Sequence, residues 1–393
     1  MFGFKTRRRN RLRAQPFPEA WLNVLCQNVP YYDRLSAAEQ EELRGAIQVF
    51  VDEKNFEGCG GLELTDEIKV TIAAYACILL LHRQHDFYPR LESAALEGAA
   101  LVEYLGRVKV GEPVSAALEK KFFELLRRYF FIGGMPEAVR AYAERQDLLE
   151  VQRIQTGLVA TVQDDFAKYG PRWLHELMRT TYRHVAGTVG RKVKYVNVSR
   201  EDRSGDVRRA FELLAQSRMI HPVFRTAANG LPLGAERDDR HFKALFLDVG
   251  LANRLCGLDL EGAEDLITVN EGAQAEQYVG QQLLAAGLPF DDPQLFYWSR
   301  EAKNANAEVD YVISRHQEIL PVEVKAGKTG TLRSLFQFLQ EKGRRRAVRF
   351  HLRPPVLEEV RLPGTETTTA QLLSLPLYLT GQLDRLLAEA FDK

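Results

Sequence analysis

Apolar positions in the first half of the chain recur at helical spacing. Ser36-x-x-Glu39 is a capping-box pattern that opens an amphipathic stretch through Leu43, Ile47 and Val51. Gly58-Cys59-Gly60-Gly61 breaks it. A second helix is expected from Thr65-Asp66 through an apolar run over residues 70–81. Residues 118–131 are dense in Leu and Phe at helical spacing, and Gly133-Gly134-Met135-Pro136 stops them, with Pro136 suited to the first turn of a further helix. Another helix is expected over residues 148–168.

From about Val189 the pattern changes. Residues 192–198 alternate like a short strand, residues 205–217 read as a helix with Val207, Ala210, Phe211 and Leu214 on one face, and residues 219–225 and 231–233 read as a hairpin around Asn229-Gly230. Helix followed by a two-stranded wing is the order of a winged helix. The helix over 205–217, with Arg208, Arg209 and Arg218 nearby, would either enter a DNA groove or serve protein docking. The last third alternates helix and strand: a helix over 271–286, strands over 294–298, 307–313 and 318–326, a helix over 332–341, a strand over 347–352 and a final helix from Leu377. The fold expected is α+β and multidomain: an all-α front half, a winged helix, then an α/β domain with a central sheet. The boundaries expected are 1–92, 93–185, 186–260 and 261–393.

Composition narrows the function classes. The 393 residues carry 53 Lys+Arg against 53 Asp+Glu, which excludes a globally basic nucleic-acid coat and leaves local patches to be read one by one. Residues 14–92 hold six basic and thirteen acidic side chains, whereas the tail before them is basic, with Lys5, Arg7, Arg8, Arg9, Arg11 and Arg13. That tail has no apolar segment behind it and reads as a solvated arm or a phosphate contact, not a secretory signal. Four cysteines without a C-x-x-C pair argue against a disulfide framework and a zinc ribbon, and point to the reduced cytoplasm. The longest apolar run is too short to span a bilayer, so no membrane is expected.

The strongest candidate chemistry lies in Glu308-Val309-Asp310-Tyr311-Val312-Ile313 and Leu320-Pro321-Val322-Glu323-Val324-Lys325. Alternation places Glu323 and Lys325 on one strand face. An antiparallel pairing centred near His316-Gln317 sets Asp310 opposite Glu323 and Glu308 opposite Lys325. Two carboxylates so close repel unless a cation sits between them, and Mg²⁺ accepts one or two carboxylates plus water and phosphate oxygens. Lys325 would then orient the attacking water and offset phosphate charge. Residues 325–353 add nine Lys or Arg and one acidic residue, among them Arg333, Arg344, Arg345 and Arg346, a basic neighbourhood suited to a nucleic acid or simply a solvated surface.

Two look-alikes fail. Gly327-Lys328-Thr329 lacks the first glycine of a P-loop, at Val322, so no ATP site is expected. His175-Glu176-Leu177-Met178-Arg179 lacks the second histidine of H-E-x-x-H, and His82 and His85 find no third ligand, so no zinc is expected.

The Asp310…Glu323-x-Lys325 spacing resembles the core of the PD-(D/E)xK nuclease superfamily, with Val309 where the name has Pro. That resemblance implies a further carboxylate from the preceding helix, for which Glu276 matches best and Glu271 second. Gly133-Gly134-Met135-Pro136, Asp164-Asp165-Phe166, Asp248-Val249-Gly250-Leu251, Glu276-Gln277-Tyr278-Val279 and the two strand motifs together resemble the domain of unknown function that follows an AAA-type ATPase module in bacterial and archaeal proteins. The resemblance covers about residues 95–393 and implies a winged-helix region and a nuclease-like fold, without the ATPase module. Leu35-Ser36-x-x-Glu39, Phe56-Glu57-Gly58, residues 61–67 and Ile72-Ala73-Ala74-x-Ala76-Cys77 resemble the start of the Mlc titration factor (MtfA) zinc peptidase family over about residues 16–92, before that family's zinc motif. The chain thus reads as a fusion. The function expected is Mg²⁺-dependent nucleic-acid phosphodiester cleavage or DNA binding. The alternatives are a non-catalytic DNA- or protein-docking module and an inactive peptidase relative that binds a regulator through its N-terminal segment.

Overall fold

The computed structural model describes residues 2–29, 31–53, 65–78, 94–257, 271–287, 292–300, 306–315, 317–326, 331–364 and 368–391. They belong to two compact units, residues 1–107 with 143–146 and residues 108–142 with 147–393. The fold is α+β, helical in the N-terminal half and with a mixed sheet in the C-terminal part. No described helix is long and apolar enough to cross a membrane.

The first unit contains α1 (Phe2–Arg13), α2 (Glu19–Asn28), α3 (Ala37–Glu53), α4 (Asp66–Ile78) and α5 (Ala94–Arg107). The capping box forms as expected. Ser36 N–H donates to Glu39 Oε2 at 2.8 Å and Glu39 N–H donates to Ser36 Oγ at 3.4 Å, which satisfies donors that the first turn of α3 leaves open. Leu43, Ile47 and Phe50 of α3 share one apolar cluster with Leu25 of α2 and with Val70, Ala73 and Cys77 of α4. Part of the basic tail is engaged rather than free. Arg8 pairs with Asp52 at 2.8 Å, Arg9 grips both oxygens of Glu53 at 2.6 and 2.7 Å, and Leu12 packs against the apolar cluster. The reason lies in α3, whose last turn carries two carboxylates where the helix dipole is already negative, so α1 supplies the cations. The break at Gly58–Gly61, the end of the apolar run at residues 79–81, and His82 and His85 lie outside the described residues.

The second unit contains α6 (Ala116–Ile132), α8 (Leu148–Asp165), α9 (Arg172–Gly187), α10 (Tyr195–Val198), α11 (Ser204–Gln216), α12 (Val249–Leu255), α13 (Glu271–Ala285), α14 (Arg333–Lys342) and α15 (Leu383–Phe391); α7 (Pro136–Arg145) starts at Pro136 as expected. Its strands are β1 (Ile220–Thr226), β2 (Arg237–Phe246), β3 (Leu295–Arg300), β4 (Ala307–Arg315), β5 (Glu318–Val324), β6 (Arg346–His351), β7 (Val356–Arg361) and β8 (Thr369–Pro376). They form one sheet in the order β2-β1-β3-β4-β5-β6-β8-β7. The first strand expected of a wing is β1, which lies second from one edge of the sheet, antiparallel to β2 and parallel to β3.

Three local expectations change. Residues 192–198 are not a strand: Lys192 makes a single bridge to Lys243, and Tyr195–Val198 is one helical turn. Tyr195 and Val198 both pack into the cluster beneath α9 and α11, and their spacing of three suits a helical turn. Residues 231–233 do not form the second arm of the hairpin. Pro232 cannot donate to a ladder, the chain turns through Leu233–Glu236, and β2 is the returning strand. The strands β7 and β8 were not expected. As expected, Val207, Ala210, Phe211 and Leu214 of α11 are all buried.

Two of the motifs quoted above, Gly133-Gly134-Met135-Pro136 and Asp248-Val249-Gly250-Leu251, form one joint. Asp248 Oδ1 accepts from Leu251 N–H at 2.9 Å and so caps α12, while Asp248 Oδ2 accepts from Gly134 N–H at 2.7 Å. Gly133 sits at φ +73, where a Cβ would come 2.1 Å from Asp248 Oδ1. Burial pushes the Asp248 carboxyl up, and the N–H groups of Gly134, Leu251 and Gly250 oppose that push.

Candidate functional site

The strands β4 and β5 pair in the expected register, with Tyr311 opposite Val322 and Arg315 opposite Glu318. Gln317 makes the tight turn between them at φ 64. On its other side β4 carries a bulge. Phe296 pairs with Val312 and Trp298 with Val309, so one residue of β3, Tyr297, faces two of β4. The extra residue lies between Val309 and Val312, at Asp310 and Tyr311. Bulges re-aim side chains beside functional sites, and this one has that effect. Val309 and Val312 both enter the core beneath α14. Glu308 and Tyr311 reach towards the α13 side, where Tyr311 donates its hydroxyl to the carbonyl of Glu276 at 2.8 Å. Asp310 turns its Oδ2 back to accept from Val324 N–H at 2.8 Å, which holds its carboxylate against the end of β5.

Around this point gather the four residues expected from the sequence, Asp310, Glu323, Lys325 and Glu276, together with Glu308. Glu323 is buried, at 3% exposure, and Lys325 Nζ lies 2.5 Å from its Oε1. Its other oxygen, Oε2, is buried without a partner. Lys325 therefore pairs with its neighbour on the same strand face, not with Glu308 across the ladder, because β5 ends at Val324 and the Lys325 N–H turns to the carbonyl of Phe350 at 2.8 Å. Glu271 opens α13, the helix that carries Glu276.

Sequence reasoning missed the central cation. Lys243 of β2 is 2% exposed. Its Nζ lies 2.9 Å from Glu276, 2.7 Å from Glu308 and 3.9 Å from Asp310, and 5.3 Å above the ring of Tyr297. A lone lysine inside the apolar run Phe242 to Phe246 was the available signal. The next helix motif completes the anchor. Gln277 receives Phe246 N–H at 2.9 Å and donates to the Phe246 carbonyl at 2.8 Å, so α13 is clamped to the end of β2.

The electrostatics follow from this crowding. Burial, with help from Asp310, pushes the Glu323 carboxyl up to about 8, against the opposing pull of Lys325. Burial likewise pushes Glu276 up to about 7, opposed by Lys243 and aided by Asp310. Burial acts to lower Lys243, but Glu276, Asp310 and Glu308 overcome it and raise the ammonium's pKa. Among the described residues, no three His, Cys, Asp or Glu side chains gather as a metal cage. Asp310 and Glu323 lie close enough for the charge of one to raise the carboxyl of the other.

The basic residues expected to contact nucleic acid fall elsewhere. Arg346 begins β6 and pairs with Glu318 at 3.0 Å, with the Phe391 carbonyl at 2.9 Å and with the face of the Phe391 ring. Glu318 starts β5, so this pair sits about five residues, roughly 16 Å, down the strand from Glu323. Arg344 donates to the carbonyl of Asn229 at 3.2 Å, and Arg345 is exposed beside it. The structure does not bring these three to the carboxylates. Arg333 is exposed at the start of α14. Gly327, Lys328 and Thr329 lie outside the described residues.

Comparison with known proteins divides the chain in a similar way. Residues 4–104 match the family described as glucose-regulated metallo-peptidase M90, residues 123–262 match a domain of unknown function (DUF8612), and residues 271–357 match a second one (DUF4143). The chain is also similar to an uncharacterized protein, slr2042, of Synechocystis sp. (strain ATCC 27184 / PCC 6803 / Kazusa). The two are 38% identical over 86 residues, which is 22% of this chain and 31% of that protein. The match thus spans about a third of the length of the curated relative. No solved structure matches the chain.

The similarity to a peptidase family at the N-terminus and to an ATPase-associated domain of unknown function towards the C-terminus agrees with the expected fusion. The second similarity is carried by two successive families where one was expected.

Proposed function

We propose that the second unit is a nucleic-acid phosphodiesterase module that takes one divalent cation, Mg²⁺, between Asp310 and Glu323, with Lys325 facing the phosphate. One observation carries this reading. Glu323 is buried, its Oε2 has no partner, and burial beside Asp310 pushes its carboxyl up to about 8 although Lys325 pairs with Oε1, which leaves one acceptor open to a cation. The donor set fits a hard cation that keeps most of its own water. When bound, Mg²⁺ would polarise a phosphoryl oxygen and lower the pKa of a bound water. The chain's own residues do the rest. The Val324 N–H fixes the Asp310 carboxylate, Lys325 holds Glu323 and offers its ammonium to a phosphate oxygen, and Lys243 anchors Glu276 and Glu308. Glu276, engaged by Lys243, ranks behind Asp310 and Glu323 as a donor.

Calorimetric titration of Mg²⁺ into the full chain tests the reading, alongside Asp310→Asn and Glu323→Gln. One site in the parent and none in either variant is expected, with cleavage of nucleic acid lost in the same variants. No heat in the parent, with or without added DNA, sinks it. A second reading then takes over, in which the unit docks nucleic acid or protein without cleaving. Lys243 favours it, because its ammonium already contacts three of the carboxylates and offsets one of their charges. We assign the first unit a protein-docking role rather than a hydrolytic one, since no H-E-x-x-H exists anywhere in the chain.

A further inference from the structure

A cleft of about 530 Å³ opens beside the carboxylate cluster, lined among others by Gly190, Arg191, Lys192, Lys194, Arg300 and Glu308. Its wall is the segment that follows α9, laid along β2. Lys192 bridges to Lys243 by its main chain, and Val193 N–H donates to the Phe242 carbonyl at 2.9 Å. Gly190 fits the wall to the cluster. It sits at φ +78, and a Cβ there would lie 2.5 Å from Glu276 Oε2. The segment that carries Arg191, Lys192 and Lys194 is thus fastened to the strand that carries Lys243.

Among the described residues of the lining, cations outnumber carboxylates: Glu308 is the one carboxylate, and it is shared between Lys243 at 2.7 Å and Lys192 at 3.5 Å. Arg300 is paired with Glu341. Arg191 and Lys194 are exposed, and among the described residues neither has a carboxylate partner. They stand three residues apart on a non-helical stretch, so their cations can sit up to about 10 Å apart. Two unpaired cations at that separation, next to a site built for a phosphate, suit successive charges of a phosphodiester backbone better than one compact anion.

We propose that this cleft is the seat of a single nucleic-acid strand, with Arg191 and Lys194 holding backbone phosphates and Glu308 forming the boundary with the carboxylate cluster. The proposal rests on the phosphodiesterase reading for its choice of ligand, but the contact it describes needs no metal.

The test is fluorescence anisotropy of labelled single-stranded DNA and RNA oligonucleotides with the full chain in EDTA, across a salt series. Each strand phosphate contact contributes about 0.7 to the slope of log affinity against log salt. The double variant R191A/K194A should therefore bind on the order of tenfold or more weakly and lose about 1.4 from that slope, while the charge-keeping R191K/K194R retains both. Whichever of DNA and RNA shows the larger loss is the strand the cleft takes. Strand binding is read in EDTA and the metal site by Mg²⁺ titration of the parent without oligonucleotide, so a failed metal site and a failed cleft give different results. The proposal falls if the parent binds neither strand at low salt. It falls equally if R191A/K194A keeps the parent's affinity, if R208A/R209A on α11 takes the loss instead, or if poly-glutamate competes as well as the oligonucleotide does.

Discussion

Replacing Lys243 with methionine is the sharpest perturbation the site allows. The side chain is 2% exposed, and its ammonium lies within 3 Å of two carboxylates, at 2.9 Å from Glu276 and 2.7 Å from Glu308. At an effective dielectric near 20, each such contact has a gross value of about 5–6 kcal/mol, and desolvation consumes much of it. Methionine fills similar volume but leaves the carboxylates uncompensated, and removing one partner of a buried charge set costs about 3–5 kcal/mol. In a unit of this size that lowers the melting temperature by roughly 6–20 °C. The assay is thermal unfolding of the full chain by circular dichroism at pH 6 and pH 8. The loss should be smaller at pH 6, where the orphaned carboxylates take up protons. Adding Glu276→Gln and Glu308→Gln to Lys243→Met should restore most of it, since whole buried ion sets can be exchanged for neutral groups at little cost. A single variant that melts within about 1 °C of the parent at pH 8 would refute the idea that Lys243 holds the cluster together.

The remaining predictions concern the same unit and its neighbour. The carboxyls of Glu276 and Glu323 are raised in the fold to about 7 and about 8 from 4.5, so the folded chain binds protons that the unfolded chain releases. Stability should therefore fall as pH rises from about 5 to 8, by up to about 1.4 kcal/mol per pH unit for each group. Denaturant midpoints across that range check it, and the double variant Glu276→Gln with Glu323→Gln should flatten the profile. Gly133→Ala places a Cβ 2.1 Å from Asp248 Oδ1 at a positive φ, and a loss of at least about 3 kcal/mol is expected in calorimetric melting, with Mg²⁺ titration of the surviving folded protein unchanged. Ser36→Ala removes a cap from α3 and should lower the stability of the first unit by about 0.5–2 kcal/mol, read from hydrogen exchange of the α3 amides.

How much of this was legible in the sequence depended on how local the cause was. The register of β4 against β5 could be read because a short turn at Gln317 joins two apolar runs, and one face fixes the pairing. The capping box and the buried face of α11 were legible for the same reason, since the residues involved lie within a few turns of one another. The bulge at Asp310 could not be read, because it is a mismatch against β3 and β3 is a partner chosen by the tertiary fold. Lys243 was invisible as a site residue because the carboxylates it meets are 33 or more positions away, on other elements. The basic run after Lys325 divides for the opposite reason. Arg346 is close to the motif in sequence, but β6 starts at the far end of β5, where it braces the C-terminal helix, whereas Arg349 of the same strand stands in register with Glu323.

The position of Lys243 also shows what α13 is for. In the order β2-β1-β3-β4, three strand spacings separate Lys243 from Glu308 and Asp310, about 14 Å in a flat sheet. No lysine bridges that distance unaided. The sheet has to twist, and the long side chains of Lys243 and Glu308 have to converge above its face. Hydrogen bonds between strands do not fix such a twist, because a ladder tolerates a range of it. A helix lying across the strands does. Gln277 clamps the backbone of β2 at Phe246, and one turn of the same helix supplies Glu276 to Lys243 and a carbonyl to Tyr311 of β4. Gly280 lets Tyr311 approach, since a Cβ there would lie 2.4 Å from its hydroxyl. The helix thus sets the spacing between the strand that brings the buried ammonium and the strand that brings the carboxylates. A residue one turn away from Glu276 can therefore change the chemistry of Asp310 without touching it.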